Sequence, residues 1–168
     1  SGHVTVSVAE FLNIDGNSAL DADLSSGLGT IAANSGSAGD LLVSSRNMSL
    51  SNGGVLTSLT IDGAGGNINL TVDEDLALRG FSLENQLPTR IGSSTFGTGK
   101  GGDVVVNANR ISIDDGADIL SFTTAVGLAG DITVSASESI VIRSGENPGI
   151  AGQSSIFTEG RTINLELL

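Results

Sequence analysis

A short motif recurs along the 168 residues of this chain, and an internal repeat restricts the possible folds more than any other sequence feature. Each copy consists of a glycine, a polar residue and then alternating aliphatic residues. Five copies start at Gly2, Gly39, Gly66, Gly102 and Gly130. A second glycine follows after fourteen or fifteen residues, at Gly16, Gly53, Gly80, Gly116 and Gly145. This near-constant distance predicts one structural unit per copy.

Alternating aliphatic residues occur at three places in most copies, which predicts three short strands. In the fourth copy the first strand contains Val104 and Val106, the second contains Ile111 and Ile113, and the third follows the next turn. Side chains two residues apart lie on one face of a strand. Three short strands cannot enclose a core alone, but copies stacked about 4.8 Å apart can share one. The sequence therefore predicts a single parallel β-helix over residues 1–168, an all-β β-solenoid of about five coils with three short strands per coil.

An antiparallel β-sandwich is the alternative fold, because it also contains short strands separated by turn residues. The repeated order of strands and the regular glycine spacing favour the β-helix. A weaker sixth copy, Thr162–Leu165, continues the pattern without the glycine. No segment shows a sustained 3.6-residue apolar period, so we expect almost no helix.

Long and short coils alternate, because extra residues lie between the second glycine and the third strand of every other copy. These insertions are Gly16–Gly29, Gly80–Gly92 and Gly145–Gly152. On a stacked fold they would protrude from one corner as a ridge, and insertions in repeat proteins often gather on the binding face. Loops without a binding role explain the same pattern. The candidate ridge residues are Asp21, Asp23, Glu84, Asn85, Glu146 and Asn147.

The charge balance excludes several classes of partner. Seven Lys and Arg residues oppose nineteen Asp and Glu residues, which gives a net charge of −12. A nucleic-acid backbone would be repelled, and no apolar run is long enough to span a bilayer. We therefore expect no nucleic-acid partner and no membrane insertion. The absence of cysteine excludes disulfides and thiolate metal sites.

Acidic residues offer weak candidates for chemistry. Asp114 and Asp115 form an adjacent carboxylate pair, but glycoside hydrolysis needs two carboxyls on either side of a bound sugar. They precede a glycine, which is a common turn composition. Together with Asp118 they are weak candidates for calcium, although calcium requires six to eight oxygen ligands in a shaped loop. We expect solvated charge, no resident cofactor and no catalysis.

A polysaccharide lyase is a further alternative for a chain of this fold. Arg79 and Arg143 occupy matching corners two coils apart and could serve as basic groups. No carboxylate cluster is expected to face both, and no aromatic platform for stacking sugars is expected, because aromatic residues make up only 3% of the chain. Solvated surface arginines are the preferred interpretation.

Four segments resemble the repeats of filamentous-haemagglutinin-type exoproteins, in particular large cyanobacterial ones. The segments are Gly99–Val106, Gly127–Val134, Arg110–Gly116 and Ser94–Gly97. The resemblance implies a right-handed parallel β-helix, export by two-partner secretion and a role in an adhesive filament. The secretion domain of that family carries Asn-Pro-Asn-type motifs, and only Asn147–Gly149 comes near one. The resemblance therefore implies a shaft rather than a secretion domain.

The functional expectation is a structural or adhesive filament segment at the cell surface or outside the cell. It would be part of a longer shaft or a head-to-tail fibre. Its partners would be copies of itself or flanking coils, together with extracellular or host glycans and proteins. The alternative is a polysaccharide-binding or pectinase-like polysaccharide-active β-helix protein, and a third possibility is a trimeric phage tail-fibre segment.

Overall fold

The structure is a computed structural model that describes residues 2–16, 26–33, 35–83, 86–124, 127–145, 153–159 and 161–168. These residues form strands, turns and irregular segments and contain no helix. The strands are β1 (Val4–Asp15), β2 (Gly27–Ala32), β3 (Leu41–Ser51), β4 (Val55–Thr60), β5 (Ile68–Val72), β6 (Asp75–Arg79), β7 (Arg90–Thr95), β8 (Val104–Asp114), β9 (Asp118–Thr123), β10 (Ile132–Arg143), β11 (Ser155–Thr158) and β12 (Ile163–Leu167).

The strands form two parallel sheets that the chain visits alternately. The first sheet has the order β1-β3-β5-β8-β10-β12, with β6 paired beside β3 and β8, and the second has the order β2-β4-β7-β9-β11. Every pairing between these strands is parallel. The predicted β-solenoid of about five coils is therefore confirmed, and the β-sandwich alternative is wrong.

The prediction of three short strands per coil needs one refinement. In four coils the first two predicted strands run as one long strand, β1, β3, β8 or β10, and only the third coil separates them into β5 and β6. The pairing register shifts at the bend, between Val8 and Phe11 in β1 and between Ala136 and Ser139 in β10. Such irregularities let a strand bend while most of its ladder hydrogen bonds persist.

The inward side chains form five aliphatic columns along the solenoid. Leu70, for example, lies between Val43 and Val106 in the neighbouring coils. Most members are almost fully buried, and burial of each such side chain contributes about 1.5–3 kcal/mol. The columns are Val4-Leu41-Ile68-Val104-Ile132-Ile163, Val6-Val43-Leu70-Val106-Val134-Leu165, Leu12-Met48-Leu76-Ile111-Ile140, Ile14-Leu50-Leu78-Ile113-Ile142 and Leu28-Leu56-Ile91-Ile119-Ile156.

The polar residue of the repeat motif connects one coil to the next. The backbone N–H of Asn67 donates to Asp40 Oδ1 at 2.8 Å, that of Asp103 donates to Asn67 Oδ1 at 2.9 Å, and that of Asp131 donates to Asp103 Oδ1 at 2.9 Å. His3 and Thr162 extend the ladder at its two ends. A short side chain with an acceptor oxygen is therefore needed at this position, which explains why most copies carry Asp or Asn there.

A buried column of hydroxyl groups runs beside the aliphatic columns of the second sheet. Ser93 Oγ donates to the carbonyl of Gly66 at 3.1 Å and accepts from the N–H of Gly102 at 3.0 Å. Ser121 makes the equivalent contacts with Gly102 and Gly130. Buried backbone groups require such partners. Serine hydroxyls inside the solenoid therefore make the hydrogen bonds that the backbone N–H and carbonyl groups of the corner glycines require.

The Asp-Asp-Gly segment is a tight turn, as its composition indicated. Asp115 and Gly116 have φ angles of 55° and 91°, and the N–H of Ala117 donates to the carbonyl of Asp114 at 3.2 Å. Positive φ at both central positions is typical of a type I′ turn and favours glycine at the second. The turn leads from β8 into β9 and so from the first sheet to the second.

Candidate functional surfaces

Asp114 lies between the two arginines that the sequence placed at matching corners. Its Oδ2 is 3.8 Å from Arg79 Nη2 and its Oδ1 is 3.4 Å from Arg143 Nη1. The carboxylate is buried, whereas both arginine side chains are about two-thirds exposed. The sequence predicts no carboxylate cluster that faces both arginines, and the structure places one carboxylate, that of Asp114, between them. The in-register stacking of three coils brings these groups together.

The structure does not gather the calcium candidates into one site. Asp118 lies on the outward face of the second sheet, where both of its oxygens accept hydrogen bonds from Arg90 at 2.7 Å. Asp115 lies on the exposed turn, and Asp114 is held by arginines. Across the described part of the chain, no three histidine, cysteine or acidic residues form a group that could hold a metal ion.

Charges of alternating sign line the bend of the first-sheet strands. Arg46 lies 2.9 Å from Glu74 and 3.5 Å from Glu10. Two coils further along, Arg110 lies 2.5 Å from Asp75 and 2.8 Å from Glu138. We call this row the axial charge ladder. Its members are 28 to 36 residues apart in sequence, and aligning the five copies is the one sequence signal that would have revealed it.

The hydrogen bonds of the axial charge ladder shift the ionisation of its members. Hydrogen bonds from Arg110 lower the pKa of Asp75 and of Glu138, and hydrogen bonds from Arg46 lower the pKa of Glu74. The same contacts raise the pKa of Arg46 and of Arg110. These groups are exposed, so each pair contributes little to stability. Because the arginines alternate with the carboxylates, positive and negative charges nevertheless neutralise one another along this edge of an acidic molecule.

The aliphatic columns are uncovered at the β12 end of the solenoid. In β12 the inward positions Ile163, Leu165 and Leu167 are 39%, 55% and 69% exposed. At the opposite end, a groove of about 320 Å³ opens between the segments Leu12–Asp15 and Ser26–Leu28 of the first coil. Edge strands of this kind also present unpaired backbone donors and acceptors. The β12 end therefore offers a surface complementary to another coil, whereas in the first coil Ile14 is buried.

The outward face of the second sheet is apolar and contains a groove. Phe96, Phe122 and Phe157 line it together with Leu120, and its volume is about 370 Å³. Phe96 and Phe157 are about half exposed. Aromatic side chains therefore cluster on this face although the chain contains few of them. Three of its five phenylalanines, from three successive coils, meet at this groove.

The six predicted ridge residues lie outside the described residues. They are Asp21, Asp23, Glu84, Asn85, Glu146 and Asn147. The flanking strands show only that each insertion joins the first sheet to the second: β1 leads to β2, β6 to β7 and β10 to β11.

No protein-family model, curated protein or solved structure matches the chain. The class of the molecule therefore follows from its architecture, which is that of a parallel β-solenoid repeat protein. None of the described residues form a helix with the length and apolar character that crossing a membrane requires.

Proposed function

We propose that this chain is a non-catalytic segment of a structural and adhesive filament, of the kind found in haemagglutinin-like exoproteins. The observation that carries the proposal is the exposure of the aliphatic columns at the β12 end. At β12 they end in side chains that are 39–69% exposed, although the equivalent residues within the solenoid are nearly fully buried. Apolar surface of this kind is stabilised when a further coil covers it.

Stacking of a further coil would extend contacts that already exist five times within the molecule. Leu165 pairs with Val134 in the coil below, and the geometry that places Val134 on Val106 can be repeated above it. In solenoid proteins each repeat contacts only its neighbours, so the array can grow without changing the fold. The covering coil belongs to the same polypeptide or to a second copy, and either arrangement produces a longer rod.

The described acidic groups support a mechanical rather than a catalytic role. Asp114 is engaged by two arginines and Asp118 by one. We therefore propose that the candidate catalytic pair, Asp114 and Asp115, serves as a corner turn.

Export to the cell surface or the medium belongs to the same proposal. A chain without cysteine forms no disulfide during passage through an outer-membrane pore. Its nearest-neighbour architecture also suits coil-by-coil folding on the far side. Copies of itself or flanking coils are the proposed partners, and no nucleic-acid partner is proposed because the net charge is −12.

Sedimentation velocity over a wide range of protein concentrations tests the proposal. We expect longitudinal association, seen as a sedimentation coefficient that rises with concentration. The variant Leu165→Asp places a charge on an uncovered column and should remain monomeric. The control Leu42→Asp changes an outward residue of similar exposure away from the ends and should associate normally. A wild-type protein that stays monomeric up to millimolar concentration, together with a gene that encodes no flanking coils, would contradict the proposal.

A further inference from the structure

The outward face of the second sheet differs in charge from the rest of the molecule. We call it the second-sheet face, and it carries only two charged residues, Arg90 and Asp118, which form a pair. The whole chain, by contrast, has 26 charged residues and a net charge of −12. The outward residues are Gly27, Gly29, Ile31, Val55, Thr57, Leu59, Arg90, Gly92, Ser94, Asp118, Leu120, Phe122, Ser155 and Phe157, with Phe96 just beyond β7.

The groove on this face owes its shape to a missing side chain. Gly92 lies beside Leu120 in the register of the sheet, and a Cβ on this glycine would approach Leu120 Cδ1 to 3.0 Å. Leu120 therefore lies over the glycine and forms the floor of the groove. The phenyl rings of Phe96, Phe122 and Phe157 line it. The resulting volume, about 370 Å³, lies within the range of small-molecule sites.

One edge of the groove is polar. Arg90 uses Nε and Nη2 to bind both oxygens of Asp118. A guanidinium carries five N–H donors and a carboxylate about four acceptor sites, so both groups keep unused capacity. The ion pair fixes their orientation without leaving net charge. Donors and acceptors are thus presented next to aromatic faces.

We propose that this groove binds a neutral oligosaccharide. A pyranose ring has an apolar C–H face that can lie against a phenyl ring, and hydroxyls at its rim that match the polar edge formed by Arg90 and Asp118. The absence of net charge on the face favours an uncharged ligand. An acidic polysaccharide would in addition be repelled by the negative field of the whole molecule.

A second copy of the chain is a less suitable partner for the second-sheet face, because this face is too small for a stable dimer interface. Five strands about 4.8 Å apart and about five residues long cover roughly 400 Å². A stable interface buries about 800 Å² on each partner. The face is therefore about half as large as a face-to-face dimer requires, whereas a short sugar chain needs no more.

Proton NMR tests the inference directly, because the chain has five phenylalanines, one histidine and no tryptophan or tyrosine. Each phenyl signal can be assigned by a single substitution. The probes are cellohexaose, laminarihexaose and maltohexaose as neutral sugars and hexagalacturonate as an acidic sugar. We expect at least one neutral sugar to shift the ring signals of Phe96, Phe122 and Phe157. The ring of Phe11, which is 57% exposed outside the groove, should not shift.

Variants distinguish sugar binding in the groove from nonspecific binding elsewhere on the protein. Phe157→Ala should weaken binding at least tenfold, Phe157→Leu should keep the apolar volume but lose most of the affinity, and Phe11→Ala should bind like the wild type. The inference is overturned if no neutral hexasaccharide shifts the groove rings, if hexagalacturonate binds more tightly, or if the ring of Phe96, which follows β7 and lies away from the terminal strand β11, shifts with protein concentration alone. This inference does not rest on the filament proposal, since end-to-end association can succeed or fail with the groove intact.

Discussion

The carbonyl oxygen of Gly39 lies only 2.0 Å from the place that a Cβ on Gly66 would occupy. Gly102 stands in the same relation to Gly66, and Gly130 to Gly102. The first glycine of these copies is therefore required by the close approach of consecutive coils. In three copies the second glycine is required for a different reason, because Gly53, Gly80 and Gly116 adopt positive φ.

Three alanine substitutions distinguish these two causes. Gly66→Ala forces a side chain against backbone and should lower the free energy of unfolding by more than about 3 kcal/mol. Gly80→Ala meets no atom within 4 Å but has a φ of +75°, so it should cost about 1–2 kcal/mol. Gly36→Ala has open space and no positive φ, and it should be neutral or stabilising by up to about 1 kcal/mol. Denaturant unfolding measures all three, and equal effects at Gly66 and Gly36 would refute the close approach.

The buried hydroxyl column predicts a large effect from a small change. Ser93→Ala leaves the N–H of Gly102 and the carbonyl of Gly66 without the hydrogen bonds that they make now. We expect a loss of about 2–4 kcal/mol, because buried unsatisfied groups cost about 1–3 kcal/mol each. The control Ser44→Ala removes an exposed hydroxyl that contacts Ser7 and should change stability by less than about 0.5 kcal/mol. Similar losses in the two variants would contradict the role of the column.

The polar residue of each repeat motif accepts a hydrogen bond from the next coil, which predicts that its side chain must carry an acceptor oxygen. Asp103→Ala removes the oxygen that accepts the N–H of Asp131 and should cost roughly 1 kcal/mol. Asp103→Asn retains an oxygen in the same place, as Asn67 shows in the preceding coil, and should preserve most of the stability. Thermal unfolding of both variants checks this, and the interpretation fails if asparagine is as harmful as alanine.

The axial charge ladder predicts a pH-dependent contribution from Arg110. Folding lowers the pKa of Glu138 and Asp75 below their ordinary values of 4.5 and 3.8. The stability from these pairs is therefore complete above those values and is lost as the pH falls through the lowered pKa values of the folded state. Arg110→Gln should lower Tm by about 1–3 °C at pH 7 in low salt. The difference should vanish at strongly acidic pH, and a difference that persists there would exclude the ion pairs as its cause.

The aliphatic columns could be predicted because their signal is local. Ile111 and Ile113, for instance, alternate with polar residues within one short stretch, and the glycine spacing aligned them with their equivalents in other copies. The ion pairs of Asp114 could not be predicted in the same way. Arg79 and Arg143 lie 35 and 29 residues from it, and only the stacking register places the three together.

The groove was missed for a related reason. Phe96, Phe122 and Phe157 belong to the least regular strand of the repeat and occupy different positions in their copies. Their convergence depends on the pairing of β7, β9 and β11, in which Gly92, Leu120 and Phe157 share one register. The low aromatic content suggested that no platform exists, but composition carries no information about where the few rings gather.

Disulfide trapping tests parallel, in-register stacking most directly, because the chain contains no cysteine of its own. Ser44 pairs with Thr71, and Ser49 pairs with Ala77. Paired residues lie about 4.8 Å apart, within the range that a disulfide spans, whereas the diagonal from Ser44 to Asn69 is about 8 Å. We predict rapid closure of both double variants, Ser44→Cys with Thr71→Cys and Ser49→Cys with Ala77→Cys, and a diagonal pair that stays reduced. Closure of only one register pair, or of the diagonal pair, would contradict parallel stacking.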